Sequence, residues 1–162
     1  MTEPPRQAVD TLIAIARDPD TYIAGWKQRN PGKVIGLFPM NFPAELVAAS
    51  GALPVIVQDR QVPITVGNSL LTEFYCGYTR SIADQAGRGQ LALYDGFMNA
   101  DHCIQLLGAI DIVREENPDK PVFFEHLIAA MDDAWSQGQV RGKIESFVRE
   151  VERFNDCTIS DA

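Results

Sequence analysis

Lys33-Val-Ile-Gly-Leu-Phe-Pro-Met-Asn-Phe-Pro-Ala-Glu-Leu-Val-Ala-Ala-Ser-Gly-Ala-Leu-Pro-Val-Ile-Val57 changes rhythm twice within 25 residues. Lys33 to Phe38 is a short unbroken apolar run, the pattern of a strand covered on both faces. Pro43 to Gly51 reads as a short helix, with Pro43 in its first turn and Gly51 at its exit. Leu53 to Val57 is a second strand, and Pro54 fits best at its start or at a sheet edge. A strand, a helix and a strand in this order predict a parallel βαβ unit with a right-handed crossover.

The same alternation continues outward. Residues 58–69 give only weak loop signals. A helix is predicted around Cys76 to Ala86, closed by Gly87-Arg88-Gly89. Tyr94 to Met98 is a third strand. Asp101 to Glu116 is a helix, with Asp101 placed as its cap and Pro118 beyond its end. Val122 to Phe124 is a fourth strand, and Gly142 to Phe154 a last amphipathic helix. On the other side, Val9, Leu12, Ile13 and Ala16 keep the i, i+3, i+4, i+7 spacing of one buried helix face. Asp18-Pro19-Asp20 breaks that helix, and Tyr22, Ile23 and Trp26 suggest a second one. The expectation is an α/β chain: a three-layer Rossmann-like parallel sheet over 32–162, with an N-terminal helical segment over 1–31.

Composition narrows the function. The chain has 162 residues, 46% hydrophobic and 22% charged, which is ordinary for a globular protein. A chain of this length buries about 70% of its unfolded surface, so it needs neither disulfides nor metal merely to fold. The formal charge is −8, and all of the excess falls in residues 81–162. A basic stripe is absent, which argues against nucleic acid. No apolar run approaches the ~20 residues of a membrane span, and MTEPPRQAVD lacks the features of a signal peptide. The three cysteines, Cys76, Cys103 and Cys157, are therefore expected as reduced thiols of a cytoplasmic protein. No dinucleotide fingerprint, phosphate loop or nucleophile elbow is present.

Cys76 and Cys103 are 27 residues apart, a spacing with no metal signal of its own. Both, however, fall at or just inside a predicted helix start. In a parallel sheet such starts line the carboxyl edge, where ligands bind. Helix N-termini favour thiolates and anionic groups, so two thiolates there could form half of a metal or iron–sulfur site. The alternative is that both are core residues, the common fate of free cysteine. Glu45, in the first turn after strand one, could be a general base or merely a partner of the helix dipole. His102 and His126 read as ordinary histidines.

Three segments resemble the 2-hydroxyacyl-CoA dehydratase and benzoyl-CoA reductase subunits. The stretch from Lys33 to Pro54 resembles their opening strand, then Pro-x-Glu-[LI], then Ala-[AS]-Gly-x-Leu-Pro. Tyr75-Cys76-Gly77-Tyr78-Thr79-Arg80-Ser81 resembles their first cluster-cysteine motif, in which Arg-Ser follows four residues after the cysteine. Tyr94-Asp95-Gly96-Phe97-Met98, then Cys103, then Asp111-Ile112 resembles the second. The similarity spans roughly residues 5–160. Gly77 stands where the family often has Pro, and Ile104 where it usually has Asp. Family subunits carry a second α/β domain with a third cysteine ligand, so the chain is expected to correspond to the N-terminal half of a subunit. Cys157 matches no family ligand.

The resemblance implies a [4Fe–4S] cluster with Cys76 and Cys103 as two of its ligands. Glu45 would lie near the substrate and move a proton. Arg80 would support the Cys76 thiolate or the cluster charge, or else be an ordinary surface arginine. The implied partners are a homologous second subunit, an ATP-dependent iron–sulfur activator protein and an acyl-CoA substrate, with neither nucleic acid nor membrane. Low-potential electrons would pass to the CoA thioester. The wording of the motifs leans towards a benzoyl-CoA reductase-type enzyme acting on an aromatic acyl-CoA. The alternatives are a 2-hydroxyacyl-CoA dehydratase subunit and a non-catalytic α/β scaffold without a cluster.

Overall fold

The computed structural model describes residues 4–39, 43–101, 103–126 and 132–160; the reading of His102 lies outside them. The chain divides into two compact units, Met1–Gly32 and Lys33–Ala162. The first holds α1 (Pro4–Arg17) and α2 (Pro19–Arg29). The break between them is a cap: Asp18 Oδ1 accepts the Thr21 amide at 3.1 Å, with Pro19 opening the next helix. One expectation fails in α1. Val9, Leu12 and Ile13 are 53%, 66% and 43% exposed, so the apolar stripe exists but is not buried. Periodicity reports that a helix has an apolar face and is silent on whether anything covers it.

The second unit is a parallel sheet of β1 (Val34–Leu37), β2 (Leu53–Ile56), β3 (Gly96–Ala100) and β4 (Val122–Glu125), in the order β2-β1-β3-β4. Every residue of central β1 and β3 is buried, whereas β2 and β4 are partly exposed edges. Pro54 pairs with Ile35 on the edge strand β2, where its missing N–H is tolerated. The helices are α3 (Ala44–Ala49), α4 (Gly67–Leu70), α5 (Gly77–Gly87), α6 (Ile104–Glu116) and α7 (Ala134–Asn155).

Handedness assigns the layers. The step from β1 to β2 runs one way along the sheet, and the steps from β2 to β3 and β3 to β4 run the other way. Right-handed crossovers therefore put α3 on one face and both α5 and α6 on the other. Val47 of α3 and Phe147 and Val151 of α7 share a core with Ile35, Leu37, Met98 and Phe123, so α3 and α7 form one layer. The buried sides of α5 and α6, with Ile82, Ala83, Leu106, Ala109 and Val113, belong to the other. Gly36 keeps that face flat: a Cβ there would stand 2.9 Å from both Phe97 and Val57.

Three boundaries and one loop differ from expectation, the first being β3, which spans Gly96–Ala100 rather than Tyr94–Met98. Cys103, not Asp101, is the N-cap of α6, because β3 runs on to Ala100 and Asp101 continues its ladder. α7 starts two turns earlier than Gly142, because Asp133 caps it by accepting the Ser136 amide at 2.7 Å. Within residues 58–69, α4 begins at Gly67, whose absent Cβ would lie 2.4 Å from the Arg80 carbonyl oxygen. No helix among the described residues is long and apolar enough to cross a membrane.

Candidate functional site at the carboxyl edge of the sheet

All four strands point the same way, so the residues that follow them gather along one edge. Glu45 follows β1, Cys76 follows β2, Asp101 and Cys103 follow β3, and His126 follows β4. The strand order reverses between β1 and β3. Such a switch point leaves a crevice outside the carboxyl ends of the strands, here flanked by the starts of α3 and α6.

Cys76 is the N-cap of α5, with extended backbone (φ −62°, ψ 159°). Its Sγ accepts the Thr79 amide at 3.5 Å and lies 3.1 Å from the Thr79 hydroxyl oxygen. Partial burial would raise the thiol pKa. The hydrogen bonds from the Thr79 side chain and from the Thr79 and Tyr78 amides outweigh it and hold the pKa below the usual thiol value. The Cys76 amide donates to Gln105 Oε1 at 2.8 Å. Tyr75 packs over Gly108, where a Cβ would come within 2.8 Å of its ring. Tyr75 and Cys76 are thus fastened to the first turns of α6, whose N-cap is Cys103. The structure brings together the two helix starts that carry the cysteines.

Cys103 is partly exposed and its side chain makes no capping bond. Its sulfur is uncommitted to the helix it caps. Glu45 is exposed in the first turn of α3, whose N-cap Pro43 makes no side-chain bond, so no capping box forms. Arg80 lies one turn after Cys76, but its Nη1 donates to Asn68 Oδ1 at 3.2 Å, towards α4. Its Nε is buried without a partner among the described residues. Cys157 follows the C-terminus of α7, at the opposite edge of the sheet. Burial, with Glu152 and Asp156 nearby, pushes its pKa up. It lines a groove of about 680 Å³ with Arg149, Glu152, Arg153, Asp156 and Thr158. That groove lies away from the strand ends that gather Cys76 and Cys103.

Two features escaped the sequence reading. His126 Nδ1 is hydrogen-bonded to Asp101 Oδ2, so Asp101 partners a histidine rather than capping α6. Asn99, on β3, is 1% exposed, and neither its Oδ1 nor its Nδ2 has a partner among the described residues. The available signal was their position at strand ends, which an alternating β–α reading places on one edge.

Among the described residues no group of three or more His, Cys, Asp and Glu side chains is arranged to hold a metal ion. The donors present are two thiols at adjoining helix starts, one of them biased towards thiolate. Thiolates are the ligands of iron–sulfur clusters, and this pair fits a group whose other ligands come from elsewhere. Asp95, of the Asp-Gly pair, has a structural task at the other edge: its Oδ2 accepts the Val34 amide at 2.8 Å and fixes the start of β1.

A comparison with curated proteins found no match. The family model of the 2-hydroxyglutaryl-CoA dehydratase D-component matches residues 39–162, which takes in β2, β3 and β4, both cysteine-bearing helix starts and α7, and begins just after β1. The match, the parallel sheet and the two cysteine N-caps agree, and the chain belongs to the 2-hydroxyglutaryl-CoA dehydratase D-component family.

Proposed function

We propose that this chain is an iron–sulfur subunit of an enzyme that delivers low-potential electrons to an acyl-CoA thioester, with Cys76 and Cys103 holding part of a [4Fe–4S] cluster. The observation that carries the reading is the pairing of two cysteine N-caps at one sheet edge, with the Cys76 pKa lowered by Thr79 and Tyr78. The family match favours a 2-hydroxyacyl-CoA as substrate over the aromatic acyl-CoA suggested by the motif wording. A homologous subunit or domain would supply the remaining ligands, and an ATP-dependent activator the electrons.

The cluster, when bound, supplies single electrons at a potential low enough to reduce a thioester carbonyl. The protein's own contribution is positional. Thr79 holds the Cys76 sulfur, Gln105 holds the Cys76 amide, and Gly108 admits the Tyr75 ring against α6. The N-termini of α5 and α6 present partial positive charge to thiolate ligands. Glu45, exposed in the first turn of α3, would exchange a proton with the ligand.

The test is anaerobic co-purification with the partner subunit and activator, followed by iron analysis and electron paramagnetic resonance. Cys76→Ala and Cys103→Ala are expected to lower iron content and abolish the cluster signal, while Cys157→Ala leaves both unchanged. The wild-type complex is expected to dehydrate 2-hydroxyacyl-CoA esters. Iron-free protein whose Cys76→Ala and Cys103→Ala variants assemble and support activity normally would establish the scaffold reading instead.

A further inference from the structure

β3 and β4 end side by side, and their ladder runs one residue beyond the strands. The Asp101 amide donates to the Glu125 carbonyl oxygen at 3.3 Å. The register pairs Ala100 with Glu125, so the next pair is Asp101 and His126. Neighbouring strands lie about 4.8 Å apart, which lets two side chains on one face meet directly. They do meet, His126 Nδ1 on Asp101 Oδ2. The two are unequally placed: the Asp101 side chain is 18% exposed and that of His126 68%. The carboxylate sits behind, and the ring projects from the edge.

This is the arrangement of an oriented base. A carboxylate at Nδ1 selects the tautomer with its proton there, so the Nε2 lone pair faces outward. The surroundings match that use. Cys103, the N-cap of α6, follows Asp101 by two residues. Asn99 precedes Asp101 by two residues and so shares its face of β3. Its carboxamide is buried and unpartnered among the described residues. Polar groups therefore extend from the interior of this strand end to the imidazole at its surface. A simple surface ion pair leaves the Asn99 carboxamide, unpartnered among the described residues, without a task.

We infer that His126 is a catalytic proton-transfer residue for the acyl ligand at this edge, and that Asp101 is its positioning residue. The inference rests on the acyl-CoA reading above. On the ligand carrying the added electron of that reading, the C–O bond to the hydroxyl breaks and hydroxide departs with the bond pair. Nε2 then takes a proton from the carbon next to the one that bore the hydroxyl; that C–H bond breaks, an N–H bond forms, and the C–H pair becomes the new carbon–carbon π bond. The proton passes from Nε2 to the departing hydroxide, water leaves, and the added electron stays on the ligand until it is returned. Loss of a proton and a hydroxide involves no net oxidation, and His126 ends as it began.

The test uses the anaerobic complex with partner and activator, assayed on a 2-hydroxyacyl-CoA, with iron content and thermal unfolding measured on every variant. His126→Gly is expected to lower kcat roughly 100-fold with KM and iron unchanged, and added imidazole to restore at least about tenfold. Asp101→Asn is expected to lower kcat about tenfold and to move the His126 proton from Nδ1 to Nε2, as read by ¹⁵N NMR with His102→Gln for assignment. An active wild type whose His126→Gly variant turns over equally fast overturns this inference and leaves the acyl-CoA reading standing. A loss that imidazole does not restore and that accompanies lower thermal stability marks a purely structural ion pair, which also overturns it. An iron-loaded wild type that turns over no acyl-CoA overturns the functional reading, and this inference with it.

Discussion

The Cys76 sulfur and the Thr79 hydroxyl lie 3.1 Å apart, and Thr79 itself is fully buried. A hydroxyl held this firmly can favour one charge state of its neighbour, here the thiolate. Cys157 has the opposite setting, with burial and two carboxylates disfavouring its thiolate. At pH 7.5, iodoacetamide should therefore label Cys76 about tenfold faster than Cys157, as read by peptide mass spectrometry. Thr79→Val keeps the volume and removes the hydroxyl. Its Cys76 labelling should slow roughly threefold, and the pH profile should move towards that of an ordinary thiol. Unchanged labelling in Thr79→Val would show that the helix start alone sets the reactivity. The signal for this contact was in the sequence, as a threonine three residues after a cysteine at a helix start. What the sequence lacks is the rotamer that turns the hydroxyl towards the sulfur.

The segment from Gln58 to Leu71 shows why some elements were legible and others not. The βαβ unit of residues 33–57 announces itself through apolar periodicity, because its burial is local and repetitive. Residues 58–71 carry no such period, yet they are bound closely to α5. Asp84 Oδ1 accepts the amides of Thr65 at 2.7 Å and Gly67 at 3.0 Å and the Thr65 hydroxyl at 3.2 Å. Ser81 Oγ accepts the Arg60 amide, and Gln85 Nε2 donates to the Gln58 carbonyl. Three polar side chains of a helix thus take the place of a strand partner, and no hydropathy pattern encodes that. Asp84→Ala should orphan buried amides and cost about 3 kcal/mol, visible as a fall of roughly 10 °C in the unfolding midpoint. Burial would raise the Asp84 pKa, but the bonds from Gly67, Thr65 and Arg88 overcome it and hold the value below the usual carboxylate range. Its stabilising share is present above that range and lost as pH falls through the lowered value. The gap between wild type and Asp84→Asn in urea unfolding should accordingly narrow as pH drops below about 4. A gap independent of pH would mean that the carboxylate charge has no part in holding the segment.

Across the whole molecule, the alternation of elements placed both cysteines at helix starts before any contact was known. It could not place Asp101 against His126, because their meeting depends on the register of two strands 25 residues apart. The same register fixes Glu125, which faces α7 and is 7% exposed. Burial raises its pKa; Lys143, 3.6 Å away, lowers it and Glu150 raises it again, with the balance upward. A carboxyl with a raised folded pKa holds its proton more tightly folded than unfolded. Its stabilising share is full at low pH and lost as pH rises through the ordinary value to the raised one. Lys143 is 44% exposed, so solvent weakens but does not cancel its offset of that loss. Lys143→Met should therefore cost about 1 kcal/mol at pH 7 and much less at pH 4, where Glu125 is largely protonated. Glu125→Gln should do the reverse, matching or exceeding wild type by up to about 1 kcal/mol at pH 7, with the advantage gone at pH 4. Urea unfolding of the three proteins at both pH values measures this directly. Parallel shifts at pH 4 and pH 7 would show that Lys143 holds α7 to β4 through its methylene stem rather than through its charge.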